Sequence, residues 1–280
     1  MKKPTLRPAA LLLALLLALS LTACGTETPE QVLKTAGDNL NGADSLGYTL
    51  EMAMTLTSGG QDLDVSLTAD GETTKDPAVT HTAMAIDLGG LMRADMEMYT
   101  EQGGDGSVTV FAGMADSSGD VQWSRQTAVA EDPENLTSTA QGAYSFLAGV
   151  ADIRENGRET IDGVEATRYD AVVTGETMEA LLNATGAMDS LSGSVLNGAD
   201  PGTLTEDLGD LPVCVWVDPA KQLPVRIAFD MTDLMQSLLE KLTTAGGVDL
   251  AVSDTTFTMT FRDIGAVGTI EIPEEARAAE

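Results

Sequence analysis

Histidine is almost missing from this chain: His81 is the only one in 280 residues. An imidazole-based catalytic triad would depend on it, and neither Gly-x-Ser-x-Gly nor a Cys/His spacing accompanies it. Its position at the start of a threonine-rich strand assigns it to the surface or to a strand edge. Zinc needs several Cys or His ligands, and the chain has two cysteines in all. No glycine-rich loop followed by lysine is present to cradle a phosphate; the glycine runs have the spacing of turns. Carboxylate pairs such as Asp62/Asp64 and Glu206/Asp207 are numerous because acids are numerous, so no glycosidase pair stands out. Asp200, Glu206, Asp207 and Asp210 match no EF-hand spacing and read as a solvated acidic loop. Basic residues are few, 15 against 44 acidic, for a net charge of −29. Such a surface repels nucleic acid and anionic headgroups at close range. Aromatic residues make up only 4% of the chain. These absences leave no catalytic residue, metal ligand set or cofactor to nominate, and the expectation is a non-enzymatic protein.

What is present begins with the N-terminus. Lys2, Lys3 and Arg7 form a positive region, Leu11 to Leu19 is an almost unbroken Leu/Ala run, and Leu21-Thr22-Ala23-Cys24 closes it with small residues before a cysteine. That order is the layout of a secretion signal. The apolar stretch from Ala9 to Leu19 is shorter than the roughly 20 residues of a bilayer-crossing helix, and no later run is longer. Leu-Thr-Ala-Cys followed by Gly25 resembles the bacterial lipobox, which implies cleavage before Cys24 and its acylation; the alternative is an ordinary signal with an incidental cysteine. On the lipobox reading residues 1–23 are removed and 24–28 form the lipidated N-terminus and a short linker. Several acyl chains then hold the protein stably on the extracytoplasmic face of the cell membrane. Loss of Lys2, Lys3 and Arg7 takes the net charge from −29 to −32.

Thr28-Pro29-Glu30-Gln31 has a capping threonine, a first-turn proline and a glutamine in the capping-box position, so a helix is expected over 29–41 with Val32, Leu33, Ala36 and Leu40 on one face. Six alternating segments follow, at 48–57, 63–67, 84–88, 95–98, 108–114 and around Trp123. Gly59-Gly60, Asp70-Gly71, Gly103 to Gly106 and Ser117 to Asp120 read as the turns between them. A helix is expected at 133–149, a hairpin at 158–173 around Asp162-Gly163, two helical pieces over 176–197, strands at 212–218 and 223–230, an amphipathic helix at 233–242, a strand at 254–263 and a last short strand at Gly268 to Ile272. In Val213-Cys214-Val215-Trp216-Val217 the free thiol of Cys214 reads as a small hydrophobe in a buried strand. The class is α+β, with an antiparallel sheet large enough to curl.

The C-terminal segments carry a more specific signal. Val215-Trp216-Val217-Asp218-Pro219, Lys221-Gln222-Leu223-Pro224-Val225-Arg226-Ile227, Thr258 to Ile264 and the closing Ile270-Glu271-Ile272-Pro273 resemble the tail of the LolA/LppX-like lipoprotein superfamily, nearest to uncharacterised lipoproteins of Gram-positive bacteria. The resemblance covers 211–275 well and 28–175 in pattern. It implies a strongly curved antiparallel sheet, an unclosed half-barrel with helices covering its concave face, spanning residues 29–275 as one domain, with 276–280 as a tail. In better-known relatives the concave cavity holds lipid acyl chains. This sequence departs from the pattern in the glycine-rich insert 176–210 and in the helix placed before the strand at 254–263, either of which could fill the cavity.

Methionine is the one compositional excess, with 13 residues. Met52, Met54, Met84, Met96 and Met98 fall on the expected buried face of adjacent strands. Met178, Met188, Met231, Met235 and Leu238 on helical segments could face them. Two readings stand: a core filled by Met for want of aromatics, or an adaptable lining for an apolar ligand. The expected partners are thus the membrane, through the acyl anchor, and a lipid or other apolar ligand. The alternative is an envelope interaction or sensory module with a self-filled core. Replacing Cys24→Ser should release the protein to the medium or leave an uncleaved precursor. A mature protein that stays on the membrane and resists salt extraction after this change would contradict the anchor.

Overall fold

The computed structural model describes residues 27–115, 120–129, 144–175, 177, 209–244 and 250–279. The signal, Cys24, most of the expected helix 133–149, and the helical pieces at 176–197 with Met178 and Met188 lie outside the described residues. Helix α1 (Pro29–Gly42) starts as the capping box dictates: the Gln31 amide donates to Thr28 Oγ1 and the Thr28 amide to Gln31 Oε1. It buries Leu33, Ala36, Gly37 and Leu40. Strands β1 (Ser45–Ser58), β2 (Gln61–Lys75), β3 (Ala78–Leu88), β4 (Arg93–Gln102), β5 (Ser107–Ala115) and β6 (Val121–Val129) form an antiparallel meander. A 3₁₀ turn (Ser145–Ala148) is what is described of the second expected helix. Then come β7 (Ala151–Ile161), β8 (Val164–Val173), β9 (Leu211–Asp218), β10 (Leu223–Asp230), α2 (Thr232–Thr244), β11 (Leu250–Arg262) and a single helical turn, α3 (Glu274–Arg277).

The eleven strands among the described residues belong to one sheet, in the order β6-β5-β4-β3-β2-β1-β11-β10-β9-β8-β7. The sheet is an unclosed half-barrel. Helix α1 lies on its concave face against β7, β9 and β10. There Leu33, Leu40, Leu147, Val173, Val213, Val215, Val217 and Ile227 are each at most 2% exposed and form the main core. A Cβ on Gly37 would meet the Tyr144 carbonyl oxygen at 2.8 Å, so only glycine lets the 3₁₀ turn approach α1 this closely. Helix α2 packs against β11, with Leu234 and Met231 added to the same core.

The two edges of the sheet differ. β7 slips register twice against β8, with Asp152 (φ 51°) and Gly157 (φ 79°) in left-handed conformations. β6 pairs with β5 residue for residue along its whole length. Bulges and charge along a rim strand discourage further pairing, and β7 carries both.

Two expectations are corrected. Asp70-Gly71 is no turn: it lies inside β2 and pairs with Tyr48 and Thr49 on one side and with Thr82 and Ala83 on the other. The glycine is required by a distant side chain, not by a bend. The Tyr48 ring lies flat over Gly71, where any Cβ would fall inside it, and its hydroxyl hydrogen-bonds Thr82 Oγ1 at 2.9 Å. Nor is Gly268 to Ile272 a strand. After β11 the chain turns under β1, with the Gly265 amide on the Ser45 carbonyl and the Val267 amide on Ser45 Oγ, and then leaves the sheet edge-on to cross its convex side. Ile272 and Ala276 are buried there against Val79, Tyr99 and Phe111, with Ile270 and Trp123 alongside. The alternation of Ile270 and Ile272 serves this packing, and no ladder forms. Helix α3 rests on β5 and β6, and Arg277 closes the strap with two bonds to Glu101 at 2.9 and 3.0 Å. Those bonds hold the Glu101 carboxyl below its ordinary range.

Gly71→Ala should displace the Tyr48 ring and break its bond to Thr82. The expected loss is about 1–3 kcal/mol, the range for overpacked interiors, read as a lowered urea midpoint with unchanged slope.

Candidate functional site

Strand register decides which side chains share a face, because successive residues alternate and directly paired residues point the same way. From β11 to β5 the pairing sets Met259, Leu50, Ala69, Met84, Met96 and Met114 in one row across six strands. The next row is Phe257, Met52, Leu67, Ile86 and Ala94, and Met54, Val65 and Leu88 follow. On the other flank stand Phe261, Tyr48, Gly71, Thr82, Met98 and Ala112. Met52, Met54, Met84, Met96 and Met98 therefore occupy one continuous patch, on the concave face that also carries α1. Each is half-buried. The long row grades from Met259, packed against the main core, to Met114, which is 53% exposed. Met235, half-buried, is on α2, which adjoins β11 at one border of this patch. The side chain of Leu238 lies outside the described residues.

The opposite, convex face is polar over β1 and β2. Thr49, Thr55 and Thr57 donate to Asp70, Asp64 and Asp62 across the strand pair. This uses part of the acidic excess in cross-strand bonds. His81 is not at a strand edge, since β3 is an interior strand. Its ring stacks on Tyr99 at 4.4 Å, and its Nε2 is 3.0 Å from Glu97 Oε1, which also accepts from the Tyr99 hydroxyl at 2.9 Å. Burial, with Glu97 beside it, pushes the Tyr99 hydroxyl up to about 12.

Cys214 sits on β9 with Trp216 on the convex side, while Val213, Val215 and Val217 fill the core. The strand is interior, as its pattern demands. Its thiol packs against the cluster of Ile161, Ala166, Trp216 and Val225 and also has polar partners. It is half-buried between Arg168 Nη2 and Asp170 Oδ1, 3.3 Å from each. Arg168 also pairs with Asp170 at 2.7 Å and lies 5.3 Å over the Trp216 ring, whose Nε1 donates to Glu159. Burial, aided by the Asp170 carboxylate, pushes the Cys214 thiol up. Sequence pattern places this residue on its strand but cannot supply Arg168 and Asp170, which come from the neighbouring strand.

Cavities formed by the described residues lie away from the methionine patch. One, about 550 Å³, lies between the β7–β8 turn, the β9–β10 turn and the segment after β11; its walls include Ile161, Val164, Lys221, Val225, Arg262 and Ile264. Another, about 350 Å³, lies at the start of α2 and is rimmed by Asp210, Asp230, Asp233 and Asp254. No group of three or more His, Cys, Asp or Glu among the described residues is placed to hold a metal ion. No helix among them is long and apolar enough to cross a membrane.

No family model matches the sequence, and no curated protein proves similar to it. Solved structures do resemble the fold. LprF from Mycobacterium bovis aligns over 88% of this chain and 96% of its own, with a TM-score of 0.50 at 14% identity. The lipoprotein LppX from Mycobacterium tuberculosis aligns over 87% and 98%, with a TM-score of 0.45 at 15% identity. The likeness is one of architecture: the chain shares the unclosed half-barrel fold of LprF.

Cys214 should react slowly with a thiol reagent at neutral pH in the native state and quickly in denaturant. The raised thiol pKa means that the native rate climbs only in more alkaline solution than an exposed cysteine needs. Equal rates in the two states would place β9 at an open edge.

Proposed function

We propose that this chain is a membrane-anchored lipoprotein of the extracytoplasmic face that binds an apolar ligand, of lipid class, on the concave side of its half-barrel. The carrying observation is the row from Met259 to Met114, a band of thioethers and small residues that passes from packed core to half-open surface. Apolar area left in water forgoes about 25 cal/mol per Å², so a face that stays half-open over several strands suits an occupant. Met side chains are unbranched and polarizable, and they adapt to acyl chains of varied length and unsaturation better than a set of rigid branched residues would. Glycine and alanine at positions 71, 69, 94 and 112 keep that face shallow between the methionines. The LprF-like architecture is compatible with this role and carries no ligand with it.

A second reading has its own support. Over β8, β9 and β10 the same face is filled by Leu33, Ala36, Leu40 and Leu147, none more than 1% exposed. If that filling extends across the methionine patch, the protein is an interaction or sensory module without a ligand.

One substitution separates the two. If space remains, Met54→Trp should leave stability nearly intact and abolish uptake of a fluorescent fatty acid. If the face is sealed, the same change should cost about 1–3 kcal/mol, and the unmodified protein should take up no probe. Absence of probe binding by the unmodified, delipidated protein sinks the carrier reading and leaves the interaction module in front.

A further inference from the structure

The end of the molecule that holds the 550 Å³ cavity is also the end where the N-terminal segment joins the fold. Glu27 accepts from Gln222 Nε2 at 2.9 Å, and Asn39 Nδ2 donates to the Gln222 carbonyl at 2.9 Å. Gln222 belongs to the β9–β10 turn, and its neighbour Lys221 lines the cavity. Cys24 is three residues before Glu27, a reach of at most about 10 Å. With Cys24 acylated, this cavity is therefore held close to the membrane surface.

Its walls are amphiphilic. Ile161 and Val225, both buried, and Val164 give an apolar floor. Most of the charged rim is already engaged. Arg262 reaches Asp70 at 2.5 Å, Glu72 at 3.4 Å and Asp263 at 3.6 Å. Asp218 Oδ1 accepts the amides of Ala220 and Lys221. Two groups are left. The Lys221 ammonium makes no ion pair among the described residues, and Asp162, 74% exposed, has a single partner, Arg226, at 4.0 Å. One cation without an ion pair among the described residues and one anion held only at 4.0 Å by Arg226, above an apolar floor, match the phosphate and the amine of a zwitterionic headgroup over the first carbons of its chains. A volume of about 550 Å³ falls within the roughly 300–1,000 Å³ of small-molecule sites. An anionic headgroup would satisfy Lys221 but bring its charge against Asp162, in a chain of net charge −29.

We infer that this cavity is a headgroup site for an amine-bearing zwitterionic phospholipid of the membrane to which the chain is tethered. The inference rests on the acylation of Cys24 and is independent of any ligand on the concave face. Engagement of such a lipid fixes the molecule upright, with the β9–β10 turn toward the bilayer and the β3–β4 turn, where Leu91 is 81% exposed, at the far end.

The test uses the acylated full chain in vesicles of equal phosphatidylethanolamine and phosphatidylglycerol, with Ile264→p-benzoylphenylalanine in the cavity wall or Leu91→p-benzoylphenylalanine at the far end as control. After flotation and irradiation, lipid adducts are identified by mass spectrometry. The expected result is adducts from position 264, several-fold richer in phosphatidylethanolamine than in phosphatidylglycerol, and none from position 91. Lys221→Glu should lower the yield at 264 to the control level, and Asp162→Lys should erase the preference for the amine. Equal yields at the two positions, or no headgroup preference, overturn the proposal while leaving fatty-acid uptake on the concave face untouched. Failure of the acylated chain to float overturns the tether and this site together.

Discussion

Everything on the concave face depends on the pairing of β1 with β11. β1 is the first strand of the N-terminal meander and β11 the last described strand of the chain; where they meet, two separately built half-sheets become one. The pairing sets Tyr48 opposite Phe261, Leu50 opposite Met259 and Met52 opposite Phe257. Since strand side chains alternate with a period of two, a slip of one residue would turn the whole meander over and bring its Thr and Asp face against α1. The single irregularity, a bulge at Asp254 (φ 51°), falls beyond this contact toward the other end of the strand, so the rows that matter keep their phase.

The two halves then divide the work. Over β8 to β10 the core is closed by α1 and the 3₁₀ turn, with valines and leucines lost from water almost completely. Over β2 to β5 the same face carries methionines that are only partly buried, set among the buried Val65, Ala69 and Thr82. Rigidity in the second half comes from elsewhere: the Tyr48 ring bridging β1 to β3 across Gly71, and the C-terminal strap pinned to β4 through Arg277 and Glu101. A sheet braced by Tyr48 at one concave flank and by the strap on its convex side can leave the rest of its concave side uncommitted.

Much of this was legible in the sequence, and what was not has a common physical cause. Period-two alternation located every strand of the sheet, and the Thr28-Pro29 signal located α1, because these are local preferences. The alternation also put Met52, Met54, Met84, Met96 and Met98 on one face, since parity survives errors in strand length. Asp70-Gly71 misled because its glycine answers to a tyrosine in another strand. Ile270 and Ile272 misled because burial against a sheet and membership of one leave the same pattern. The polar partners of Cys214 and the cavity beside Lys221 are assembled from strands and turns far apart in the chain, and no spacing along the sequence announces them.

The pairing of β1 with β11, which sets Gly47 opposite Arg262, also orders events when the chain is made. On any emergence from N- to C-terminus, the six-strand meander is complete while β11 and the strap are still to come. Closing so long a loop is entropically costly and slow. Throughout that interval β1 is an open rim and the methionine face lies bare, so the nascent chain is at its stickiest just when most of its strands exist. A short-lived need for a chaperoning surface is thus written into the strand order itself.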